Sequence, residues 1–390
     1  MSDIKIPDNL KPTDGRFGSG PSKIRPEALE SLYKTGNSIL GTSHRQKPVK
    51  NVVNRVRTGL TKLLNLPEGY EVILGNGGST AFWDIATLNL IEKKSQHLVF
   101  GEFSSKFAEA AKAAPFLDEP TVIKVEPGAH PLPKAEIGVD VYALTHNETS
   151  TGVTSNIANV RKAIDAAKHP ALLLVDTVSG LGSADYEHDQ WGVDVTISGS
   201  QKGLMLPPGI GFNALSPRAI EVSKTNKMHK AYWAWDEIIE SNKNGFWPTT
   251  PSTNLMYGLH ESIDMMLAEG LDTIFARHQR LAAACREAVK AWGLEIQCQD
   301  TDCYSPVLTC IATPEGMDAD VLRKHALEKF NLSLGTGLGK IKGKAFRIGH
   351  LGDCNELNLM AALSGVEMSL GSMGYKPKAS GVLAAQEFLK

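Results

Sequence analysis

Between residues 70 and 220, short apolar, largely β-branched runs alternate with amphipathic stretches: EVILG, STAFWDIATLNLIEK, HLVFG, SKFAEAAKAA, TVIKV, VYALTH, VRKAIDAAK and ALLLVD. Strand and helix are predicted by turns. A run as continuously apolar as ALLLVD suits a strand covered on both faces, so the expected class is α/β. That means a mostly parallel sheet between helices, with function at the carboxyl ends of its strands. After residue 216 longer helical segments take over. LDTIFARHQRLAAACREAVKAWG keeps its apolar residues at helical spacing and predicts a long helix that leaves the first domain. Behind it LEIQCQ, SPVLTCIAT, DADVLRKHALEKF and AFRIGHLG predict a smaller α/β lobe running from about residue 270 to the end. Clusters of Pro and Gly at 15–21, 127–133, 207–211 and 248–251 mark loops.

Composition narrows the reading. With 390 residues, 42% hydrophobic and 22% charged, the chain has the make-up of a soluble globular protein large enough for two cores. Lys and Arg number 41 against 43 Asp and Glu and are scattered, which argues against nucleic acid or an anionic membrane as a partner. The five cysteines, all in the last third, have neither C-x-x-C nor zinc-ligand spacing; they read as reduced thiols, with no metal site and a cytoplasmic location. No apolar run approaches membrane-spanning length, and MSDIKIPDNLKPTDG does not read as a signal peptide.

Candidate chemistry gathers at three predicted strand ends. In VDVTISGSQKGLMLPPG, Lys202 follows a strand that ends in small residues, and in ALLLVDTVSG, Asp176 closes another. Taken singly, one reads as a surface lysine and the other as a helix N-cap. Together they supply what pyridoxal phosphate needs, an amine for the Schiff base and a carboxylate to keep the pyridine nitrogen protonated. GNGGSTAFWDIA adds a glycine turn at a helix start, where backbone amides can cradle a phosphate. It matches neither the dinucleotide nor the P-loop fingerprint, which counts against a nicotinamide dehydrogenase.

SGSQKGLMLPPG, HNETSTGV, LLLVDTVSG, WPTTPSTNLMYGL and FRIGHLGD resemble the class V (fold type I) pyridoxal phosphate aminotransferases, over about residues 13–375. Residues 13–153 are similar to actinobacterial phosphoserine aminotransferases and residues 146–375 to serine–glyoxylate aminotransferases, which suggests a mosaic joined at HNETSTGV. The resemblance implies an N-terminal arm (1–24), a large domain with a mostly parallel seven-stranded sheet (25–268), a small C-terminal domain (269–390) and a homodimer with shared active sites. It implies Lys202 as the Schiff-base lysine, Asp176 at the ring nitrogen, Val178 and Phe103 on the two ring faces, and Thr149 at the ring hydroxyl. Gly77, Gly78, Ser79, Thr80 and Gln201 would hold the phosphate, completed by Thr249 or Thr250 of WPTTP from a neighbouring subunit; helix capping is the alternative for these threonines. Arg347 would grip the substrate carboxylate, with a structural salt bridge as its alternative. His44 and Arg45, with Lys47 nearby, fit either a phosphorylated or an unphosphorylated substrate. NLSLGTGLGKIKGKAFRIGH lacks a second His-Arg pair before Arg347, which favours L-serine or L-alanine with glyoxylate over O-phosphoserine with 2-oxoglutarate. A cysteine desulfurase, which needs a reactive loop cysteine, and a non-catalytic binding protein are the competing classes.

Overall fold

A computed structural model of the chain describes residues 6–245, 247 and 249–390. Its larger sheet has seven strands in the order Glu71–Gly77, Gly209–Leu215, Val195–Gly199, Leu172–Asp176, Val141–Thr145, Ser95–Val99 and Thr121–Lys124. Gly209–Leu215 alone runs against its neighbours. The other six strands therefore finish at one edge.

The apolar runs explain the layering. In Leu172–Asp176, Leu173 and Val175 enter one core with the helices Lys47–Leu63, Ile157–Ala166 and Thr253–Glu269. Leu172 and Leu174 enter the opposite core with Ser79–Leu90, Glu102–Lys112 and Trp235–Lys243. Each such side chain contributes roughly 1.5–3 kcal/mol on burial, so a strand with apolar side chains on both faces belongs between two helical layers. The helix expected over STAFWDIATLNLIEK stops at Leu90. Beyond it the amides of Glu92, Lys93 and Lys94 all donate to Asp140 Oδ2, at 3.1, 2.6 and 3.0 Å, which draws the chain away from the helix axis.

A second sheet of five strands runs Arg16–Phe17, Ser333–Thr336, Ala345–Gly349, Leu308–Ala312 and Glu295–Ile296. Its core is closed by Leu271–Trp292, Ala319–Phe330, Glu356–Ser372 and Gly381–Leu389. The predicted long helix is Leu271–Trp292, ended by Gly293 in the left-handed conformation at φ 78°. Arg16–Phe17 is too short to show a pattern, yet it pairs in parallel with Ser333 and Leu334. From there the chain passes Lys202 on its way to the helix Pro26–Ile39. A Cβ at Gly349 would lie 2.1 Å from the carbonyl of Gly18, and the Ser22 amide donates to the carbonyl of Gln201 at 2.9 Å. No helix among the described residues is long and apolar enough to cross a membrane.

Candidate active site

Strand register brings the candidate chemistry to one place. Thr145 pairs with Asp176 and Asp176 with Ile197, each beside or at the end of its strand, and Lys202 follows three residues after the next strand ends at Gly199. At the same edge a cavity of about 170 Å³ is lined by Gly78, Ser79, Thr80, Trp83, Phe103, Thr145, Asn147, Thr149, Asp176, Val178, Ser179, Gln201 and Lys202.

Asp176 is 4% exposed. Its Oδ1 accepts from the Val178 amide at 2.8 Å and its Oδ2 from the Trp83 indole Nε1 at 2.8 Å. The capping alternative is thus partly realised, because the carboxylate does tie its own turn. Burial pushes this carboxyl up to about 6, while the two donors pull it down. Burial likewise brings the Lys202 ammonium down to about 8, with the positive charge of Arg347 adding to the effect. About a tenth of the amine is then neutral at pH 7, far more than for an ordinary lysine. Lys202 Nζ donates to the carbonyl of Ser19 at 2.6 Å.

The start of the helix Ser79–Leu90, whose N-cap, Gly78, offers no side-chain hydrogen bond, is a place that could hold a phosphate. A Cβ at Gly78 would meet nothing within 4 Å, so that side of the turn opens into the cavity. Gln201 Nε2 leans toward Ser79 Oγ at 3.5 Å, and its Oε1 is buried without a partner. Uncapped amides at a helix start favour an anion. Phe103 and Val178 both line the space, Thr149 Oγ1 donates to Ser179 Oγ at 2.8 Å and keeps its lone pairs for another donor, and Asp176 supplies a buried negative charge. An uncapped helix start, a buried carboxylate and a lysine with a lowered pKa fit pyridoxal phosphate.

Arg347, 6% exposed on the strand Ala345–Gly349, donates Nε to the Thr336 carbonyl at 2.7 Å and Nη1 to the Thr149 carbonyl at 2.6 Å. Among the described residues it forms no salt bridge, so neutral carbonyls, not a paired carboxylate, fix its plane. Gly335 has no side chain, and a Cβ there would lie 3.0 Å from both Ser19 Oγ and Arg347 Cβ.

Other expected residues lie elsewhere. Gly77 ends its strand at φ 132° and is outside the cavity lining, so Gly78 is the glycine that faces the space. His44 and Arg45 form a turn before Lys47–Leu63, half-buried and exposed respectively, and do not line the cavity. Thr249 Oγ1 meets Tyr232 Oη at 3.2 Å, and the Thr250 carbonyl accepts from Asn76 Nδ2 at 2.7 Å. Neither threonine caps the helix Thr253–Glu269, whose N-cap is Ser252; Pro248 of the same motif lies outside the described residues. Burial pushes the thiols of Cys285, Cys298 and Cys354 up to about 11 and those of Cys303 and Cys310 to about 12, and none lines the cavity.

Trp83, Glu148, Ser19 and Gly20 escaped the sequence reading. Glu148 is fully buried and accepts from the amides of Phe103, Ser104 and Ser150 and from the hydroxyls of Ser104 and Ser150. It ties the start of the helix Glu102–Lys112 to the turn that carries Thr149. A carboxylate three residues beyond the apolar strand Val141–Thr145, at an edge where chemistry gathers, was the available signal.

The sequence profile of the aminotransferase class-V family matches residues 17–338. A serine–glyoxylate aminotransferase of Hyphomicrobium methylovorum is 42% identical over 84% of this chain and 84% of its own length. A phosphoserine aminotransferase of Nocardioides sp. is 46% identical over 70% of this chain and 73% of its own, and its 279 aligned residues extend beyond 13–153. Both parent types of the suspected mosaic are thus among the relatives. In fold the chain matches a ureidoglycine–glyoxylate aminotransferase from Bacillus subtilis, with TM-score 0.86, 24% identity and coverage of 98% and 99%. It also matches an aspartate aminotransferase from Thermus thermophilus, with TM-score 0.80, 26% identity and coverage of 92% and 99%. With the fold, the cavity and these likenesses in agreement, the chain belongs to the class V aminotransferases and works with pyridoxal phosphate.

Proposed function

We propose that the enzyme moves an amino group from L-serine, or L-alanine, to glyoxylate, in two half-reactions that share one site. The observation that carries the choice is the cation count: Lys202 is the cationic side chain lining the cavity and Arg347 stands beside it. One arginine suits the one carboxylate of serine. A substrate phosphate near −2 recruits several further donors, each charge-assisted contact worth roughly 1.5–3 kcal/mol. Within their own chain, His44 and Arg45 lie outside the lining.

Bound pyridoxal phosphate supplies an electrophilic carbon and a ring that withdraws electrons. The protein does the rest. Arg347 would orient the amino acid through its carboxylate, and Asp176 would keep a proton on the ring nitrogen. Val178 and Phe103 would hold the ring, Thr149 its hydroxyl, and the start of Ser79–Leu90, with Gln201, the phosphate. Lys202 Nζ would carry the α-proton of the substrate. A positioned base of this kind contributes about 10²- to 10⁴-fold in rate, and its lowered pKa keeps enough of it neutral.

The likeness to the Nocardioides phosphoserine aminotransferase and the basic turn at His44 and Arg45 favour a second reading, O-phosphoserine with 2-oxoglutarate. The two are separated by kcat/KM for each substrate pair, with Arg45→Ala tested on both. A tenfold or greater preference for phosphoserine that Arg45→Ala removes overturns the serine–glyoxylate reading.

The assembly is read as a homodimer of protomers with an arm (1–24), a large domain (25–268) and a small domain (269–390). Thr249 and Thr250 engage Tyr232 and Asn76 and not their own cavity, which supports their reaching a second copy. The helix Pro26–Ile39 exposes Leu29 by 52% and Tyr33 by 83%, an apolar face for that copy to cover. An active monomer in sedimentation removes the dimer. Five unpaired cysteines, four of them buried, support the reducing cytoplasm.

A further inference from the structure

The roles assigned so far leave one side-chain donor to Asp176 unused. Trp83 Nε1 donates to Asp176 Oδ2 at 2.8 Å, with Trp83 3% and Asp176 4% exposed. Trp83 also lines the cavity. Because the Val178 amide holds Oδ1, each carboxylate oxygen has one fixed donor and the plane of the group cannot turn. The indole is itself held: it stacks on Phe107 with centroids 5.5 Å apart and planes 20° from parallel, and His97 meets Phe107 edge-on at 5.2 Å.

Position along the helix gives this contact a consequence. Trp83 lies four residues after Ser79 and three after Thr80, so all three share one face of Ser79–Leu90, separated by one turn, about 5.4 Å. One rigid element thus presents its first amides to the phosphate and, a turn later, an N–H to the acid at the far end of the ring. The charged neighbours of Asp176 are Glu148, which disfavours its negative charge, and Lys202, which favours it. When Lys202 Nζ is neutral, as a base must be, that support disappears and the fixed donors remain.

We propose that Trp83 is a positioning residue: its indole N–H keeps Asp176 ionised against the ring nitrogen, so that the helix which receives the phosphate also sets the protonation of the ring. The inference rests on the reading above that Asp176 faces that nitrogen. Without the N–H, the proton moves from the ring nitrogen to an Asp176 oxygen, an ion pair becomes a neutral pair, and nothing else is transferred. A hydrogen bond to a charged acceptor is strong enough for its loss to shift this balance ~10- to 100-fold.

The test loads the enzyme with pyridoxal phosphate carrying ¹⁵N in the ring and reads the ring-nitrogen resonance by NMR, beside the dissociation constant of the cofactor. Trp83→Phe removes the donor. Replacing Trp83 with 3-benzothienylalanine removes it while keeping the shape of the indole, which covers the case in which the phenylalanine variant fails to fold. The expected result is a pyridinium resonance in the wild type and a displacement toward the unprotonated position in both variants, with cofactor affinity changed less than tenfold. A pyridinium resonance unmoved in the variants overturns the proposal, whatever happens to affinity, because packing alone would weaken binding and leave the proton in place. Asp176→Asn separates the two claims. If it leaves the resonance unmoved, the pairing of Asp176 with the ring fails and the role of Trp83 with it; if it moves the resonance and neither Trp83 variant does, only Trp83 is wrong.

Discussion

Glu148→Gln keeps the volume of a fully buried side chain and exchanges one acceptor oxygen for a donor. Oε2 receives the Ser104 amide at 2.8 Å and the Ser104 hydroxyl at 2.8 Å; Oε1 receives the Phe103 amide at 3.3 Å, the Ser150 amide at 3.1 Å and the Ser150 hydroxyl at 2.7 Å. Wherever the new NH₂ group sits, it faces at least one backbone N–H. The milder placement is at Oε2. There the Ser104 hydroxyl cannot accept from it, because that oxygen already accepts from the amides of Phe100 and Gly101 at 3.0 and 3.1 Å. One buried amide is left unpaired at roughly 1–3 kcal/mol, and the remaining bonds lose their charge assistance, for a total of ~2–4 kcal/mol. No sequence neighbour can take over, since Gly101 has no side chain and a Cβ there would lie 2.4 Å from Glu148 Cδ. Urea unfolding of the cofactor-free protein, wild type beside Glu148→Gln, measures the loss. It should be accompanied by weaker cofactor binding, because the same carboxylate aligns Phe103 with the turn of Thr149. A change below about 0.5 kcal/mol would refute the claim that this carboxylate fastens the helix to the turn.

Three further outcomes follow from the geometry. Arg347→Lys keeps the charge but loses the planar fork held by the Thr336 and Thr149 carbonyls, so kcat/KM for the amino acid should fall roughly 10²- to 10³-fold; less than a fivefold loss in steady-state assays denies it the carboxylate. The Lys202 ammonium is lowered to about 8, so the amine is increasingly neutral as pH rises through that value. The stopped-flow rate at which cofactor-free enzyme attaches pyridoxal phosphate should therefore climb with pH and level off above about 8, and a rise continuing to the ordinary lysine range near 10.5 would contradict the burial. Gly20 sits at φ 126° with space for no Cβ, which would lie 2.1 Å from Lys202 Nζ. Gly20→Ala should slow the same attachment at least tenfold, and an unchanged rate would show that the segment does not confine the lysine.

The layered fold was legible because the strands announce themselves: VYALT and LLLVD are apolar up to their last residue and buried throughout, and such runs have few other homes. The strand ends tell where chemistry gathers, so Lys202, Asp176 and the start of Ser79–Leu90 can be named from the sequence, and the structure brings them to one cavity. Arg16–Phe17 was not legible, since two residues carry no period and their partners lie more than 300 positions later. Trp83 and Glu148 were hidden for another reason. An indole inside an apolar helix reads as core, and only the register of Leu172–Asp176 brings a carboxylate to its N–H. Glu148 likewise has its role set by the amides of Phe103 and Ser104, which the chain supplies 44 and 45 residues earlier. Thr249 and Thr250 were named from a motif, and the contacts within the chain place them with Tyr232 and Asn76, away from their own cavity.

All of this depends on one nitrogen. The most direct measurement is to incubate the purified protein with pyridoxal phosphate, reduce it with borohydride and map the peptides by mass spectrometry. The pyridoxyl label should sit on Lys202, in the peptide that contains SGSQKGLMLPPG, and Lys202→Ala should take up none while still binding the cofactor reversibly. Stoichiometric label on any other lysine, or an unlabelled Lys202 in an active preparation, would contradict the account.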